Sequence, residues 1–182
     1  MTEKKKPRLY RLIVWLVKLF SPTYTMRGTE NLPDGACVIV GNHSQMFGPI
    51  AAELYTPGPH VTWCSAEMMT RGEVADYAFR DFWSAKPRGT RWFFRALSHL
   101  IDPLATYIFT NAQTVPVYRD ARVYKTFRQS MDVLHAGTRV VIFPECHSEH
   151  NNIVHEFQSS FVDLARLYHR RTGVALTFVP RS

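Results

Sequence analysis

Short apolar runs alternate along this chain with longer stretches in which apolar residues recur at helical spacing. The short runs predict strands at residues 36–40, 60–64, 114–118, 138–143 and 175–179. The longer stretches predict helices at residues 49–54, 74–83, 92–101, 122–135 and 157–168. Because strands and helices alternate, the pattern predicts an α/β fold with a mixed, largely parallel sheet flanked by helices.

A further helical stretch at residues 9–20 is apolar but carries basic residues. One face collects apolar side chains: Leu9, Leu12, Ile13, Leu16 and Phe20. The other face collects a tryptophan and basic side chains: Trp15, Arg8, Arg11 and Lys18. The stretch is shorter than the roughly 20 apolar residues of a spanning helix, so it predicts an amphipathic helix in a membrane interface. The alternative is a helix packed on the core. We expect residues 1–23 to form this helix and a connector, and residues 24–182 to form one α/β domain.

Polar residues directly follow two of the predicted strands. Asn42 and His43 come after the first run, and Pro144 and Glu145 come after the run that ends at Phe143. In open α/β sheets, ligands bind beyond the carboxyl ends of the strands. A histidine and a carboxylate at that edge indicate proton-transfer chemistry or the binding of a polar substrate.

The net charge narrows the possible partners, and the cysteines indicate the compartment. The 182 residues carry a formal net charge of +7, which favours an anionic partner such as a membrane surface or a phosphorylated metabolite. No zinc-finger spacing or recognition-helix pattern occurs, so we expect no nucleic-acid partner. The three cysteines show no repeated spacing, which indicates a reducing compartment and no disulfide framework.

Four short blocks occur in order over residues 24–180: Asn42-His43, Val115-Pro116-Val117-Tyr118-Arg119, Phe143-Pro144-Glu145 and Val179-Pro180. In this order and spacing they resemble the motifs of the glycerolipid acyltransferase family, which includes the lysophosphatidate acyltransferases. In that family a histidine general base activates an acceptor hydroxyl, which attacks an acyl thioester. The resemblance implies His43 as the base and Arg119 as an anion clamp. It also implies acceptor-binding positions at Asn42, Pro144 and His147.

Two positions depart from the family pattern. Gly48 stands where the family has the Asp that orients the histidine, and Cys146-His147-Ser148 replaces Gly-Thr-Arg after Glu145. Neutralising the orienting Asp of a Ser-His-Asp triad lowers kcat by about ten-thousandfold. Glu145 is the first candidate to replace the missing carboxylate, and weaker candidates are Glu53, Glu149 and Glu156. A backbone carbonyl could also orient the imidazole, and the sequence does not choose among these groups.

Other functions use the same residues. A metal site could use Cys146, His147, His150 and His155, but their spacing matches no known zinc motif. A hydrolase would need a nucleophile elbow, and no Gly-x-Ser-x-Gly occurs. A catalytically degenerate acyltransferase fold that binds acyl chains, acyl carrier or membrane without turnover is the remaining alternative.

We therefore predict an acyltransferase of phospholipid biosynthesis and lipid metabolism, with His43 and Glu145 as catalytic residues. Its donor would be acyl-coenzyme A or acyl-carrier protein, and its acceptor a lysophospholipid or related hydroxyl compound. No metal or other cofactor is expected. The basic amino terminus predicts membrane association on the cytoplasmic face. The last strand ends close to Ser182, so we expect a carboxyl end that is truncated or irregular.

Overall fold

The computed structural model describes residues 6–42, 47–145 and 159–181, with only the backbone described for Phe47, Asp81 and Phe82. Within these residues the helices are α1 (Arg8–Phe20), α2 (Phe47–Tyr55), α3 (Glu73–Ala78), α4 (Arg91–Asn111), α5 (Val123–His135) and α6 (Asp163–Thr172). The strands are β1 (Cys37–Gly41), β2 (His60–Ser65), β3 (Thr114–Val117), β4 (Arg139–Ile142) and β5 (Thr177–Arg181). The predicted α/β fold is confirmed, and each predicted strand is present.

The five strands form one sheet in the order β3-β2-β4-β1-β5, and every pairing is parallel. β1 lies between β4 and β5, with Val38 opposite Val140 on one side and Phe178 on the other. The sheet is thus wholly parallel rather than mixed. Because all strands run the same way, all of their carboxyl ends meet at one edge.

One face of the sheet is covered by α5 and α6. Its core is made of buried side chains from both helices and four strands: Val38, Val61, Val115, Met131, Val133, Leu134, Val140, Ile142, Leu164 and Leu176. A second helix-to-sheet link is polar, because the indole of Trp63 donates a 2.8 Å hydrogen bond to the Ser130 hydroxyl. These contacts fix α5 across β2 and β3.

The other face of the sheet is covered by α2 and α4, and α3 packs on α4. Alternation along β1 and β4 turns Cys37, Ile39 and Val141 toward Ala52 of α2. On β3, Val115 faces α5, so Thr114 points to the opposite face, where its hydroxyl donates to the Phe109 carbonyl oxygen of α4 at 2.9 Å. Burial raises the pKa of the Cys64 thiol to about 12.

α1 rests on α2 through a buried tyrosine. Tyr10 is 2% exposed, and its hydroxyl donates a 2.9 Å hydrogen bond to Glu53 Oε1, which also accepts from Lys6 Nζ at 3.0 Å. His60 is buried beside this cluster, with Nε2 4.0 Å from Glu53 Oε2. α1 therefore turns Tyr10 inward, and the remaining inward positions are half-buried Ile13, Val14 and Val17.

α4 is longer than the sequence pattern predicts. The prediction stopped at Ile101, whereas the helix continues past Pro103 to Asn111. A proline removes one backbone hydrogen bond inside a helix, and here Pro103 is exposed, one turn after the exposed His99 whose carbonyl loses that bond. The middle of α4 is fixed by Asp102, whose Oδ2 accepts a 2.9 Å hydrogen bond from the Gly72 amide before α3. In the described part of the chain, no helix is long and apolar enough to cross a membrane.

Candidate active site

The carboxyl ends of β1 and β4 lie side by side, because Val40 of β1 pairs with Ile142 of β4. β1 is followed by the half-buried Asn42, and β4 by the buried Pro144 and the half-buried Glu145. Two blocks that are about a hundred residues apart in sequence thus meet at one edge of the sheet. This is the edge at which open α/β sheets bind ligands.

A glycine lets the two blocks pack closely. A Cβ added to Gly41, the last residue of β1, would lie 3.0 Å from Cε1 of Phe143 and 3.7 Å from the carbonyl oxygen of Arg181. Real side chains rarely tolerate the shorter distance, so a larger residue at 41 would displace the aromatic ring. Gly41 therefore sets how closely β1 approaches the block that carries Glu145.

The end of β3 is held by a buried threonine. The Thr126 hydroxyl of α5 donates to the Pro116 carbonyl oxygen at 2.7 Å and accepts from the Tyr118 amide at 3.2 Å. This one side chain therefore bonds a backbone carbonyl and a backbone amide at the strand end. The contacts fix the backbone just before Arg119, which is exposed.

Arg119 lies at the same edge but not on a neighbouring strand. β2 separates β3 from β4, and at roughly 4.8 Å per strand this puts the end of β3 about 10 Å from that of β4. The structure therefore does not place Arg119 in direct contact with the block that contains Glu145. An anion bound by Arg119 would occupy space beyond the end of β2.

Asp120 follows Arg119 in the chain, but its carboxylate pairs with Arg122. Asp120 accepts hydrogen bonds from Arg122 Nε and Nη2, the latter at 2.7 Å, and also from the Arg122 amide. The side-chain hydrogen bonds of Arg122 hold the pKa of Asp120 below its ordinary value. Within residues 6–42, 47–145 and 159–181, Arg119 has no ion-pair or hydrogen-bond partner, so its guanidinium is available to an anion.

Two positions of α2 concern the carboxylate that orients the histidine. Gly48 is the second residue of α2, and the first turn of that helix carries no acidic side chain. Glu53, near the end of α2, binds Lys6 and Tyr10, so this candidate already serves to hold α1. His43, His147, Glu149 and Glu156 lie outside the described residues, and so do Cys146, His150 and His155 of the alternative metal site.

Arg181 is a residue of this edge that the sequence reasoning did not single out. It ends β5 opposite Gly41 and is half-buried, with Nη1 3.4 Å from the hydroxyl of Thr56 after α2. Desolvation by burial lowers its pKa from the ordinary value. The sequence feature that could have identified Arg181 is its position directly after the Val179-Pro180 block. Among the described residues, no group of three or more His, Cys, Asp or Glu side chains could hold a metal ion.

Comparison with known proteins gives one result. A family model described as Acyltransferase matches residues 72–180, which is more than half of the chain. The matched segment runs from the start of α3 to the end of the sheet, and it contains Arg119, Pro144 and Glu145. Asn42 and His43 lie before it. No curated protein and no solved structure matches the chain.

Proposed function

This chain belongs to the acyltransferase family, and on that basis we propose which acyl group it transfers and to what. The donor is a fatty acyl thioester, either acyl-coenzyme A or acyl-carrier protein. The acceptor is the hydroxyl of a lysophospholipid or a related compound. The observation that carries this proposal is the meeting of the Asn42 and Glu145 blocks at the carboxyl edge of a parallel sheet.

In the proposed reaction His43 is the general base. Its imidazole takes the proton of the acceptor hydroxyl as the oxygen attacks the thioester carbonyl. The tetrahedral intermediate then loses the thiolate, which receives the proton from the imidazolium, so that an ester and a free thiol result. Glu145 is the proposed partner of His43 or a ligand of the acceptor. An unperturbed histidine pKa of about 6.5 suits this role at neutral pH.

Arg119 is the proposed clamp for an anionic group of the acceptor. Its support is the pairing of Asp120 with Arg122, which leaves the guanidinium of Arg119 without an internal partner in the described residues. A guanidinium can hold a phosphate or carboxylate by two parallel hydrogen bonds. The proposed ligands of the acceptor near the reacting groups are Asn42, Pro144 and His147.

We also place the protein at the cytoplasmic face of a membrane, with a role in phospholipid biosynthesis. The support comes from α1, whose outward side presents apolar side chains beside basic ones: Leu9, Leu12, Trp15, Leu16, Leu19 and Phe20 are all exposed. The inward side of the helix is held by Tyr10. Such a helix can lie in the interface of an anionic bilayer while it remains attached to the domain.

One observation favours a second candidate function. Gly48 leaves the first turn of α2 without a carboxylate, and the family uses one there to orient its histidine. A protein that binds acyl chains, acyl carrier or membrane without turnover fits that change. The two candidates differ in a single measurable property, which is turnover.

Acyl transfer by the purified chain tests the proposal. The assay supplies long-chain acyl-coenzyme A or acyl-carrier protein with phosphorylated and neutral lyso-acceptors in mixed micelles. We expect His43→Ala to lower kcat/KM by about 100- to 10,000-fold, the range for a general base. The matched control is His135→Ala, because His135 is an exposed histidine at the end of α5, and it should leave the rate unchanged.

Two further outcomes decide the roles of the other residues. Arg119→Ala should raise KM for phosphorylated acceptors and spare neutral ones, whereas Arg166→Ala on the surface of α6 should change neither. Equal rates for the wild-type chain and His43→Ala with every donor and acceptor would contradict the enzymatic proposal and favour the binding protein.

A further inference from the structure

The outward side of α4 is a broad apolar surface, which we name the α4 outer face. It comprises Trp92, Phe93, Ala96, Leu100, Pro103 and Leu104. Trp92 is 73% exposed and Leu100 is 74% exposed. At 100° per residue these six positions span about 120° of the helix, and no charged residue falls among them. A helix on the surface of a globular protein normally turns its polar side outward, and this one does not.

The inward side of α4 already has its own packing. Ser98 is fully buried, and Asp102 accepts the Gly72 amide hydrogen bond. The Phe94 ring stacks on Trp83, with centroids 5.7 Å apart. The domain therefore fixes α4 from the inside, and the α4 outer face contributes little to the core.

Basic residues surround the amino end of the same helix. Lys86, Arg88, Arg91 and Arg95 occur within ten residues, and residues 86–95 contain no acid. The turn is held in place because Arg91 donates to the carbonyl oxygens of Lys86 at 3.0 Å and Ser84 at 2.7 Å. The side chains of Arg88 and Arg95 remain exposed, and Arg95 Nη2 also lies 3.6 Å from Oδ1 of the exposed Asp76. Cations therefore stand beside Trp92 and Phe93.

We propose that the α4 outer face and the basic turn before it dock on an anionic lipid bilayer. Aromatic rings, aliphatic side chains and neighbouring cations are the combination by which interfacial helices enter anionic headgroups and the acyl boundary. The other occupant would be a second copy of the chain. That contact would bring together two molecules of net charge +7 and their basic turns, and repulsion opposes it.

This contact is separate from α1 and goes beyond the proposed function, since it holds whether or not the chain turns over substrate. It also has a geometric consequence. Asp102 binds Gly72, which follows the carboxyl end of β2 by seven residues. The part of α4 before Asp102 is therefore next to the carboxyl edge of the sheet. Lipid bound there would lie on the side of the molecule where Asn42 and Glu145 are found.

Vesicle binding by the full chain tests the proposal. The probes are phosphatidylcholine vesicles with and without phosphatidylglycerol. We expect Trp92→Glu with Leu100→Glu to weaken binding to the anionic vesicles by about tenfold or more, because the protein loses two exposed apolar side chains that would enter the bilayer. The matched control is Tyr124→Glu with Val174→Glu, since both side chains are 60% exposed and lie elsewhere. Leu12→Glu with Leu16→Glu tests α1 in the same assay.

A second readout does not depend on charge changes. Brominated lipid quenches tryptophan fluorescence only where the indole enters the bilayer. Trp92→Phe should remove more of the quenching than Trp83→Phe, because Trp83 is half-buried against Phe94. Both changes replace one indole by one phenyl ring and preserve apolar character.

Each remaining outcome overturns the proposal. Equal weakening by the α4 pair and the control pair would show a general charge effect, and unchanged binding would show that the α4 outer face stays out of the bilayer. A dimer in sedimentation that the α4 pair dissolves, without vesicle binding, would assign the surface to a second copy. If the wild-type chain binds no vesicles, both membrane contacts are wrong, while micelle activity tests acyl transfer separately.

Discussion

The helices on the two faces of the sheet both bury apolar inner sides, but their outer sides differ in polarity. α5 and α6 pack on the sheet through Met131, Leu134 and Leu164, and their outer sides are mostly charged: Lys125, Arg128, Asp132, Arg166, Arg170 and Arg171 are exposed. The layer on the opposite face is also closed inside, yet α1 and α4 turn leucine and aromatic side chains outward. Burial of the core therefore does not explain the outer surface of α1 and α4. The outer side of α5 and α6 is largely charged, whereas α1 and α4 leave apolar side chains exposed.

A leucine-to-alanine change should lower the free energy of unfolding much more in one layer than in the other. Leu164→Ala in α6 removes a fully buried side chain, so the free energy of unfolding should fall by about 3 kcal/mol. Leu100→Ala on α4 removes a side chain that is mostly exposed, and its effect should stay within about 0.5 kcal/mol. Urea denaturation measures both. A large loss for Leu100→Ala would mean that the α4 outer face belongs to the core, and the contrast between the layers would disappear.

The stability that the attachment of α1 contributes should be lost at alkaline pH. Burial, followed by the charge and hydrogen bond of Glu53, raises the pKa of Tyr10 above its ordinary 10.0. The folded state therefore favours the neutral phenol, so this contribution is complete below pH 10.0 and is lost as the pH rises above it. We expect a decline of up to about 1.4 kcal/mol per pH unit in the free energy of unfolding.

Tyr10→Phe isolates that contribution. Urea titrations from neutral to alkaline pH should show a shallower decline for Tyr10→Phe than for the wild type. Tyr124→Phe is the control, because Tyr124 is an exposed tyrosine of α5. A decline that is identical in all three proteins would show that α1 is not held by the buried phenol.

The smallest expected effect concerns two thiols of the sheet, Cys37 and Cys64, beneath the layer that contains α2 and α4. Cys37 is fully buried and its pKa is raised by burial, while burial raises the pKa of Cys64 to about 12. Only the thiolate reacts, and at pH 8 a thiol of that pKa is ionised to about one part in ten thousand. Peptide mapping after alkylation should find both unmodified in the folded protein and modified in urea. Rapid labelling of Cys64 without urea would show that this layer does not seal the sheet.

The sequence predicted the strands well because each is a short apolar run. The runs at 36–40 and 138–143 predicted β1 and β4, which the structure has at Cys37–Gly41 and Arg139–Ile142, and polar residues follow both. The sequence could not order the strands. That β2 lies between β3 and β4 is a tertiary result, and it separates Arg119 from Glu145 by a distance that the motif pattern does not reveal.

The helices were less predictable where they are apolar on both sides. In α1 the periodicity predicted an apolar face of Leu9, Leu12 and Leu16, and these side chains are exposed, but it did not predict that the opposite side packs on the domain through Tyr10. The choice depends on Glu53, which is 43 residues away in the chain. In α4 the sequence placed the end before Pro103. The helix continues because the carbonyl that this proline leaves unbonded belongs to an exposed turn.

The contact between Gly41 and Phe143 joins the block that contains Asn42 to the block that contains Glu145. A side chain at residue 41 would need the phenyl ring at position 143 to shift by a few tenths of an ångström. We therefore expect a larger residue at 41 to be accompanied by a smaller or shifted one at 143. For protein engineering, the consequence is that the two blocks of the site have to be transplanted as a pair. A graft of either one alone would have to readjust the contact between residue 41 and the ring at 143.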